Sequence, residues 1–379
     1  MKKSRVQDYI VSYDKVVLFS YLALCLIGVV MMLDISSIQS SMTNFYRHIG
    51  YCLFAFLSVI LTLYFVDLEK IRWLNPFLIF ASLILLVIVL MLGPNVNGAT
   101  RQIRLGPVGI QPSFLARFAL VFFFAGFLST RQEQIRTASA KQFFREFLPL
   151  IVFAGAIFVL IILEKHLSTL VIGGFTLLGM LIYAGIRKRL ALLILALCLA
   201  CGSLVLLKGE DYRWSRIKTY MTYNLFTRQD AERKVAAAEY QVHESLTALT
   251  SGSLIGTGMA RGRAKHFYLP EARTDYIYTI IGEEFGFLGA ILVFLLHALL
   301  FFRTFKIAQT QENKYYQFLC AGLAMNIFLN TLVNTGVAMS ILPPTGNTLP
   351  FISYGGTALM IDSISVGVIL NISAKRRLI

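Results

Sequence analysis

Long apolar runs with almost no charge dominate this sequence. Of its 379 residues, 57% are hydrophobic and only 15% are charged. About 20 apolar residues suffice for a helix to cross a bilayer, whereas a water-soluble domain needs more polar surface. The pattern predicts an all-α integral membrane protein with about ten transmembrane helices. The predicted spans are Val16–Leu33, Ile49–Val66, Phe77–Leu92, Phe114–Leu128, Phe147–Leu163, Leu167–Ile186, Leu190–Leu207, Tyr276–Phe302, Tyr315–Leu342 and Thr357–Ile372.

The basic residues predict that both termini are cytoplasmic. With that orientation the inner segments hold 19 lysines and arginines, and the short outer loops hold 4. Such an excess marks the cytoplasmic side, although long outer loops escape the rule. The net charge of +15 is therefore explained by topology and by anionic lipid headgroups. No nucleic-acid partner is needed to account for it.

The chain reads as a single polytopic membrane domain over residues 1–379. Its main outer loops are expected at about 93–113, 208–275 and 343–356, the second lying between spans 7 and 8. Within the second loop, residues 232–249 have the pattern of an amphipathic helix near the membrane interface. The third loop is uncharged and rich in proline and glycine. Non-helical backbone at membrane depth needs surrounding protein or a watery cavity, so we expect a re-entrant loop that lines a site.

Asp275 stands at the outer end of the eighth span. Partial burial there would raise the pKa of the carboxyl group and make it a better proton acceptor near neutral pH. An ordinary interfacial carboxylate balanced by Arg273 is the alternative. Below Asp275, small or polar residues follow at helical spacing and suit close helix packing. They are Thr279, Gly282, Gly286 and Gly289.

Other ionisable residues lie inside predicted spans. Charged groups in a membrane mark a cavity, an internal pair or a functional site. Arg117, Glu283, Glu284 and Asp362 belong to this class, and pairing of Arg117 with one of the acids is one reading. The five cysteines all lie in apolar spans, so neither a disulfide framework nor a metal site is predicted.

Three groups of motifs resemble the FtsW/RodA/SpoVE family of peptidoglycan polymerases. Residues 98–106 and 111–113 read GATRQIRLG and QPS, similar to GARRWIxLG and QPSE. Residues 268–277 and 281–286 read YLPEARTDYI and IGEEFG, similar to YLPEAHTDFI and IGEELG. Residues 342–346 and 349–356 read LPPTG and LPFISYGG, similar to LPVTG and LPFISYGG. The resemblance covers essentially the whole chain and leans towards the FtsW branch.

The resemblance implies a glycosyltransferase of the bacterial cytoplasmic (inner) membrane. It would join lipid II units into glycan strands and release undecaprenyl pyrophosphate, in cell division or cell-shape maintenance. Asp275 takes the place of the family's essential acid and is expected to be the general base. A class B penicillin-binding protein is the implied partner, because the chain has no transpeptidase domain. No cofactor is firmly implied, although a divalent cation would be compatible.

The motifs also imply the residues around the substrate. Cations near a pyrophosphate leaving group would stabilise its charge, and Arg101, Arg261, Arg263 and Lys265 are the candidates. Further substrate-binding residues carried over from the motifs are Gln111, Ser113, Glu271, Thr274, Ser353 and Tyr354. Arg117, Glu283 and Glu284 are expected to support the site from within the membrane.

The chain departs from the family pattern at several motif positions. The QPSE glutamate is Phe114, and the lysine three residues later is Arg117. The usual EPDLGT reads EKHLST at 164–169, and Thr100, Gln102 and Arg273 replace further motif residues. These changes affect the donor side of the site more than the proposed base.

Two other functions are compatible with ten spans. A lipid-linked precursor flippase would also use intramembrane charges, although no inverted repeat is recognisable. A non-catalytic scaffold for the transpeptidase would tolerate replacement of Asp275 by asparagine.

Overall fold

The computed structural model describes residues 8–38, 42–96, 99–105, 108–207, 211–223 and 239–378. Helices make up most of this part of the chain. They are α1 (Lys15–Ile38), α2 (Thr43–Phe65), α3 (Leu68–Ile71), α4 (Asn75–Leu92), α5 (Pro112–Thr137), α6 (Ala140–Glu146), α7 (Leu148–Leu163), α8 (Leu167–Ala184), α9 (Lys188–Leu207), α10 (Asp211–Tyr223), α11 (Tyr240–Gly252), α12 (Ile277–Thr310), α13 (Lys314–Ala338) and α14 (Gly356–Ser373). A 3-10 turn (Arg72–Leu74) joins α3 to α4, and a π-helical turn covers Ala264–Tyr268.

The predicted class, an all-helical integral membrane protein, is confirmed, but the count of ten spans is not. Among the described residues, eight helices are long and apolar enough to cross a membrane. A ninth span results if α6 and α7, which meet at a bend of 73°, are counted as one. The predicted seventh span is occupied by α9, a 20-residue helix that is not among those eight.

Short strands close the two ends of the bundle. Strand β1 (Asp8–Ser12) pairs antiparallel with β6 (Lys375–Leu378), which places both ends of the described chain on one side. In the first outer loop, β2 (Asn95–Val96) pairs with β3 (Ala99–Thr100), and β4 (Ile103–Leu105) pairs with β5 (Val108–Ile110). Chain ends on one side of a membrane require an even number of crossings.

The helices differ strongly in how far they are covered by protein. The most apolar windows of α5, α13 and α14 are 67–72% buried, against 28% for α2 and for the span of α3 and α4. The peripheral helices therefore face lipid, and α5, α13 and α14 form the centre of the bundle. Apolar side chains exposed on the outer helices are normal where lipid replaces water.

Helix α11 packs along the stripe of small and polar residues on α12. The Ser245 hydroxyl lies 2.7 Å from that of Thr279, and a side chain added at Gly282 would collide with Leu249. The first part of the stripe, Thr279 and Gly282, thus serves close helix packing, as predicted. The predicted amphipathic helix at 232–249 begins at Tyr240 in the structure, and residues 224–238 lie outside the described part.

Gly286 breaks α12 rather than continuing the stripe. Its φ of +66° and ψ of −166° are not helical, and such backbone favours glycine. The segment after α11 bonds into this break, where the amides of Thr257 and Gly258 donate to the carbonyls of Glu283 and Glu284 at 3.0 Å. The chain between α11 and α12 is therefore fixed to α12 two turns below Asp275.

Candidate active site

Four helices begin around one space at the end of the bundle opposite the β1–β6 pair. They are α5, α8, α12 and α14. The amide nitrogen of Gln111, just before α5, donates to Thr357 in the first turn of α14 at 3.2 Å. The side chain of Gln111 lies 3.1 Å from His166, just before α8. Helix amino termini carry partial positive charge and exposed N–H groups, so this space favours a negatively charged ligand.

Asp275 lies one residue before the N-cap of α12 and is half-buried. Its Oδ2 atom lies 3.3 Å from the point where a Cβ on Gly346 would stand, and Nη1 of Arg101 lies 3.2 Å from that same point. The predicted base and a predicted pyrophosphate cation are therefore neighbours. Gly346 belongs to the predicted re-entrant loop, which the structure brings against both charged groups.

Burial, and after it the negative charge of Glu271, raise the pKa of Asp275, whereas Arg101, Arg216 and a hydrogen bond from Thr274 oppose the increase. The net result is a pKa of about 7. A carboxyl group with this pKa is partly ionised at neutral pH. Its ionised form is therefore available at neutral pH and is basic enough to accept a proton from a hydroxyl group during the reaction.

Arg101 connects the first outer loop to the turn before α8. Its Nη2 donates to the carbonyl of Lys165 at 2.6 Å. Glu164 in the same turn is fully buried, and neither carboxyl oxygen has a hydrogen-bond partner. Burial raises the pKa of Glu164 to about 8, although Arg101 and Ser113 act in the opposite direction. The raised pKa favours the protonated form of Glu164, which is the less costly form of a buried carboxyl group.

His166 lies between α5, α8 and the re-entrant loop. Its Nδ1 has Gln111 Nε2 at 3.1 Å and the hydroxyls of Ser113 and Thr169 at 3.0 Å. On the other side of the ring, Nε2 lies 3.2 Å from the Gly346 carbonyl. Two predicted substrate-binding residues, Gln111 and Ser113, thus contact His166 in the structure.

The re-entrant loop is anchored to the start of α12. The Ser353 hydroxyl donates to the Thr274 carbonyl at 2.6 Å and accepts from the Leu349 amide. The Tyr354 amide donates to the carbonyl of Arg273 at 2.9 Å. Because its hydroxyl is engaged with backbone, Ser353 is better suited to holding the loop than to contacting a substrate. The loop is largely buried in protein, as the sequence predicted.

Lys265 has to be removed from the predicted pyrophosphate cluster. It is fully buried, and its Nζ bonds Asp34 of α1 at 2.5 Å and Glu284 of α12. Its charge is therefore neutralised inside the protein. Glu284 lies nine residues beyond Asp275, about 13 Å along a helix, so Lys265 cannot reach the space around Asp275.

Arg261 and Arg263 also lie away from Asp275. Both are exposed, and the Arg263 guanidinium stacks on the Tyr268 ring at 4.3 Å. The amides of Arg263 and Ala264 donate to the Glu283 carboxylate, at 2.7 Å for Arg263. Glu283 is eight residues beyond Asp275. The predicted support residues Glu283 and Glu284 therefore fix the segment before α12 rather than line the space at Asp275.

Arg117 is buried in the centre of the bundle on α5. Its guanidinium packs over the Phe114 ring at 5.3 Å, and its Nε and Nη1 have no hydrogen-bond partner. The acid that acts on it electrostatically is Asp362 of α14 rather than Glu283 or Glu284. These side chains form a polar layer below Asp275.

Sequence reasoning missed three groups at the site. Glu164 and His166 were noted only as a departure from a motif, and Arg216 was not singled out. Arg216 of α10 donates to the Pro344 carbonyl at 2.8 Å and acts on Asp275 electrostatically. Arg216 stands in a long loop without a recognisable motif, so no local pattern could mark it. Within the described ranges, no three His, Cys, Asp or Glu side chains are placed to hold a metal ion.

Comparisons with known proteins agree with the motifs. The FtsW/RodA/SpoVE family model, described as cell cycle protein, matches residues 15–378. The probable peptidoglycan glycosyltransferase FtsW of Shewanella sediminis is 34% identical over 375 residues, covering 97% of this chain and 88% of that protein. Stage V sporulation protein E of Bacillus subtilis is 31% identical over 97% of this chain and 98% of its own length.

A solved structure shows the same fold. It is a chain of a peptidoglycan synthase complex that coordinates polymerization and crosslinking, and it superposes with a TM-score of 0.77. The two chains are 24% identical, and the match covers 96% of this chain and 98% of the other. The arrangement of helices around the site is therefore that of a known fold.

Proposed function

The chain belongs to the FtsW/RodA/SpoVE family, and from that membership we propose that it polymerises lipid II into glycan strands at Asp275. It is a multi-pass protein of the bacterial inner membrane and a glycosyltransferase of cell-wall synthesis. Within the family it is FtsW-like. The observation that carries the proposed site is the Asp275 carboxyl group, which has a pKa of about 7 beside Arg101 and the re-entrant loop.

In the proposed reaction, Asp275 accepts the proton of the acceptor sugar's 4-hydroxyl group. The hydroxyl oxygen forms a bond to the anomeric carbon of the donor, whose bond to the pyrophosphate oxygen breaks. The leaving group is undecaprenyl pyrophosphate, which carries away the bonding electrons. Arg101, Arg216 and the four helix amino termini supply the positive potential that stabilises this charge.

The level of Asp275 in the bundle suits a substrate anchored in lipid. The residue precedes a membrane-spanning helix, so a headgroup held at the membrane surface would reach it without leaving the bilayer. Charged groups placed where charge develops commonly supply the largest part of catalysis. A flippase would need Asp275 only if that residue bound substrate during alternating access, whereas a polymerase needs a proton acceptor for its chemistry, a role that the raised pKa of Asp275 suits.

We also infer that a class B penicillin-binding protein is the physiological partner. This inference is supported by the fold shared with a chain of a synthase complex that couples polymerization to crosslinking. Cross-linking needs a transpeptidase, and the described residues consist of membrane helices and their connecting loops.

The test is a polymerisation assay with labelled lipid II. The full chain is purified in detergent, alone and with its class B partner, and glycan products are resolved on a gel. We expect a ladder for the wild type and none for Asp275→Asn, which keeps the side chain's size but removes the base. A wild-type preparation that binds lipid II and still gives no ladder with the partner contradicts the proposal. An Asp275→Asn ladder equal to the wild type contradicts the role of Asp275.

A further inference from the structure

The environment of the His166 ring fixes which nitrogen carries the proton. Nδ1 faces the side-chain amide of Gln111 and the hydroxyl groups of Ser113 and Thr169. An amide NH2 group is a donor only, so Nδ1 is the acceptor. The proton is then on Nε2, which donates to the Gly346 carbonyl at 3.2 Å. The imidazole therefore joins the start of α5 to the re-entrant loop through a directional bond.

His166 remains neutral throughout the working pH range. The residue is 1% exposed, and burial together with the positive charge of Arg101 lowers the pKa of the ring to about 3. Its hydrogen bonds are therefore constant near neutral pH. A residue of this kind can hold geometry, whereas proton transfer near pH 7 is left to Asp275.

The bond from His166 ends on the carbonyl of Gly346, the residue beside which Arg101 and Asp275 meet. Nη1 of Arg101 and Oδ2 of Asp275 lie 3.2 and 3.3 Å from the point where a Cβ on Gly346 would stand. On the far side, Asn334 of α13 donates to the Asp275 carbonyl at 2.9 Å and to the Asn347 carbonyl at 2.6 Å. The successive carbonyls of Gly346 and Asn347 are thus held by different elements. His166 and, at 3.4 Å, the Ser168 hydroxyl donate to the Gly346 carbonyl, whereas Asn334 donates to the Asn347 carbonyl.

The Phe114 ring supports the imidazole from below, and Arg117 packs on Phe114 in turn. The Phe114 ring packs edge-on against His166, with ring centres 6.0 Å apart at 79°, and Arg117 lies over the face of Phe114. These three residues occupy motif positions where the family has glutamate, lysine and aspartate. The three residues that depart from the motifs, His166, Phe114 and Arg117, therefore stack on one another in that order.

We propose that His166 is a positioning residue for the transfer reaction, which holds Gly346 and the re-entrant loop against Asp275 and Arg101. The Phe114–Arg117 stack keeps the imidazole in place. This inference rests on the proposed reaction at Asp275 and assigns no proton transfer to His166. The neutral imidazole, packed on Phe114, aligns the loop through one donated hydrogen bond.

A pair of amide substitutions tests the donated bond. His166→Gln can place an N–H near the position of Nε2, whereas His166→Asn is too short to reach Gly346. We expect His166→Asn to lower kcat about 10- to 100-fold, since a misplaced loop can reduce the rate by such factors. The loss for His166→Gln should be clearly smaller, and KM should change little in either variant. Initial rates of lipid II consumption with the class B partner give both constants.

A second pair is independent of whether the His166 variants fold. Phe114→Leu removes the ring beneath His166, and Phe118→Leu removes a comparably buried ring one turn further along α5. We expect Phe114→Leu to lower kcat several-fold more than Phe118→Leu at a similar loss of thermal stability. Wild type and Asp275→Asn run in the same assay. Without wild-type turnover, the proposed function has failed. With wild-type turnover, equal rates for the His166 amide variants, or for the two leucine variants, overturn the positioning role.

Discussion

The Arg101 guanidinium and the Asp275 carboxylate converge on one point beside Gly346. A Cβ atom at that point would lie 3.2 Å from Nη1 of Arg101 and 3.3 Å from Oδ2 of Asp275. Because glycine has no Cβ, the position between the proposed base and the Arg101 cation is not filled by a side chain of residue 346. The reaction therefore depends on a backbone position as much as on the charged residues.

Gly346→Ala should impair the reaction while leaving the fold intact. The added methyl group pushes on both charged groups by a few tenths of an ångström, and the backbone of Gly346 needs no positive φ. We expect kcat/KM to fall about 10- to 100-fold, the range for a small misplacement of reacting groups. The lipid II assay measures the rate, and thermal unfolding in detergent measures the stability.

Gly355→Ala is the matched control in the same loop. Its new Cβ would meet the nearest atom, of Thr348, at 3.4 Å, an ordinary contact. This variant should keep most of the wild-type rate. If both alanine variants lose activity equally, the effect belongs to the loop as a whole, and the specific role of the Gly346 position is wrong.

The rate should rise with pH through about 7. Asp275 has to be ionised to accept a proton, and its pKa is about 7 because of burial and the negative charge of Glu271. Removing that charge in Glu271→Gln makes ionisation easier, so the acidic limb of kcat/KM should move to lower pH by roughly a few tenths to one unit. Rates from pH 5.5 to 8.5 measure the shift.

The opposite sign is expected when a cation is removed. Arg101 lowers the pKa of Asp275, so the acidic limb of Arg101→Gln should move to higher pH, along with a general loss of rate. Shifts of the same sign in Glu271→Gln and Arg101→Gln would show that the limb reports a group other than Asp275.

The sequence was sufficient for the class of fold, and it singled out Asp275 as the proposed base. Long apolar runs indicate segments that are surrounded by lipid, and such segments are almost always helical because every backbone polar group must be bonded within the bilayer. Asp275 was proposed as the base because it takes the place of the family's essential acid, whereas its position at the outer end of a span left an ordinary interfacial carboxylate as the alternative. Lys265 was misplaced because its partners Asp34 and Glu284 are far away in the sequence. Arg261 and Arg263 were misplaced for the same reason. The backbone amides beside them bond Glu283, so these residues lie near Glu283 of α12 rather than near Asp275.

Lys265→Met should destabilise the protein far more than a surface lysine substitution. The change leaves Asp34 and Glu284 buried without their cation, and breaking a buried ion pair from one side typically costs about 3–5 kcal/mol. We expect a clear drop in the apparent Tm. Lys70→Met breaks the exposed pair with Asp67 and should leave the Tm nearly unchanged. Equal Tm values for the two variants would contradict the structural role of the buried cluster.

Gly286→Ala tests whether the break in α12 holds the segment that follows α11. Alanine at φ +66° is strained by more than about 1 kcal/mol, and its Cβ would come within 2.4 Å of the Gly256 nitrogen. The segment should detach from α12, so the apparent Tm should fall and limited proteolysis should cut near residues 254–262. Gly155→Ala on α7 meets no atom within 4 Å and should change neither readout. If the Gly286→Ala protein is as stable and as protease-resistant as Gly155→Ala, the break in α12 does not require a residue with positive φ, and the prediction is wrong.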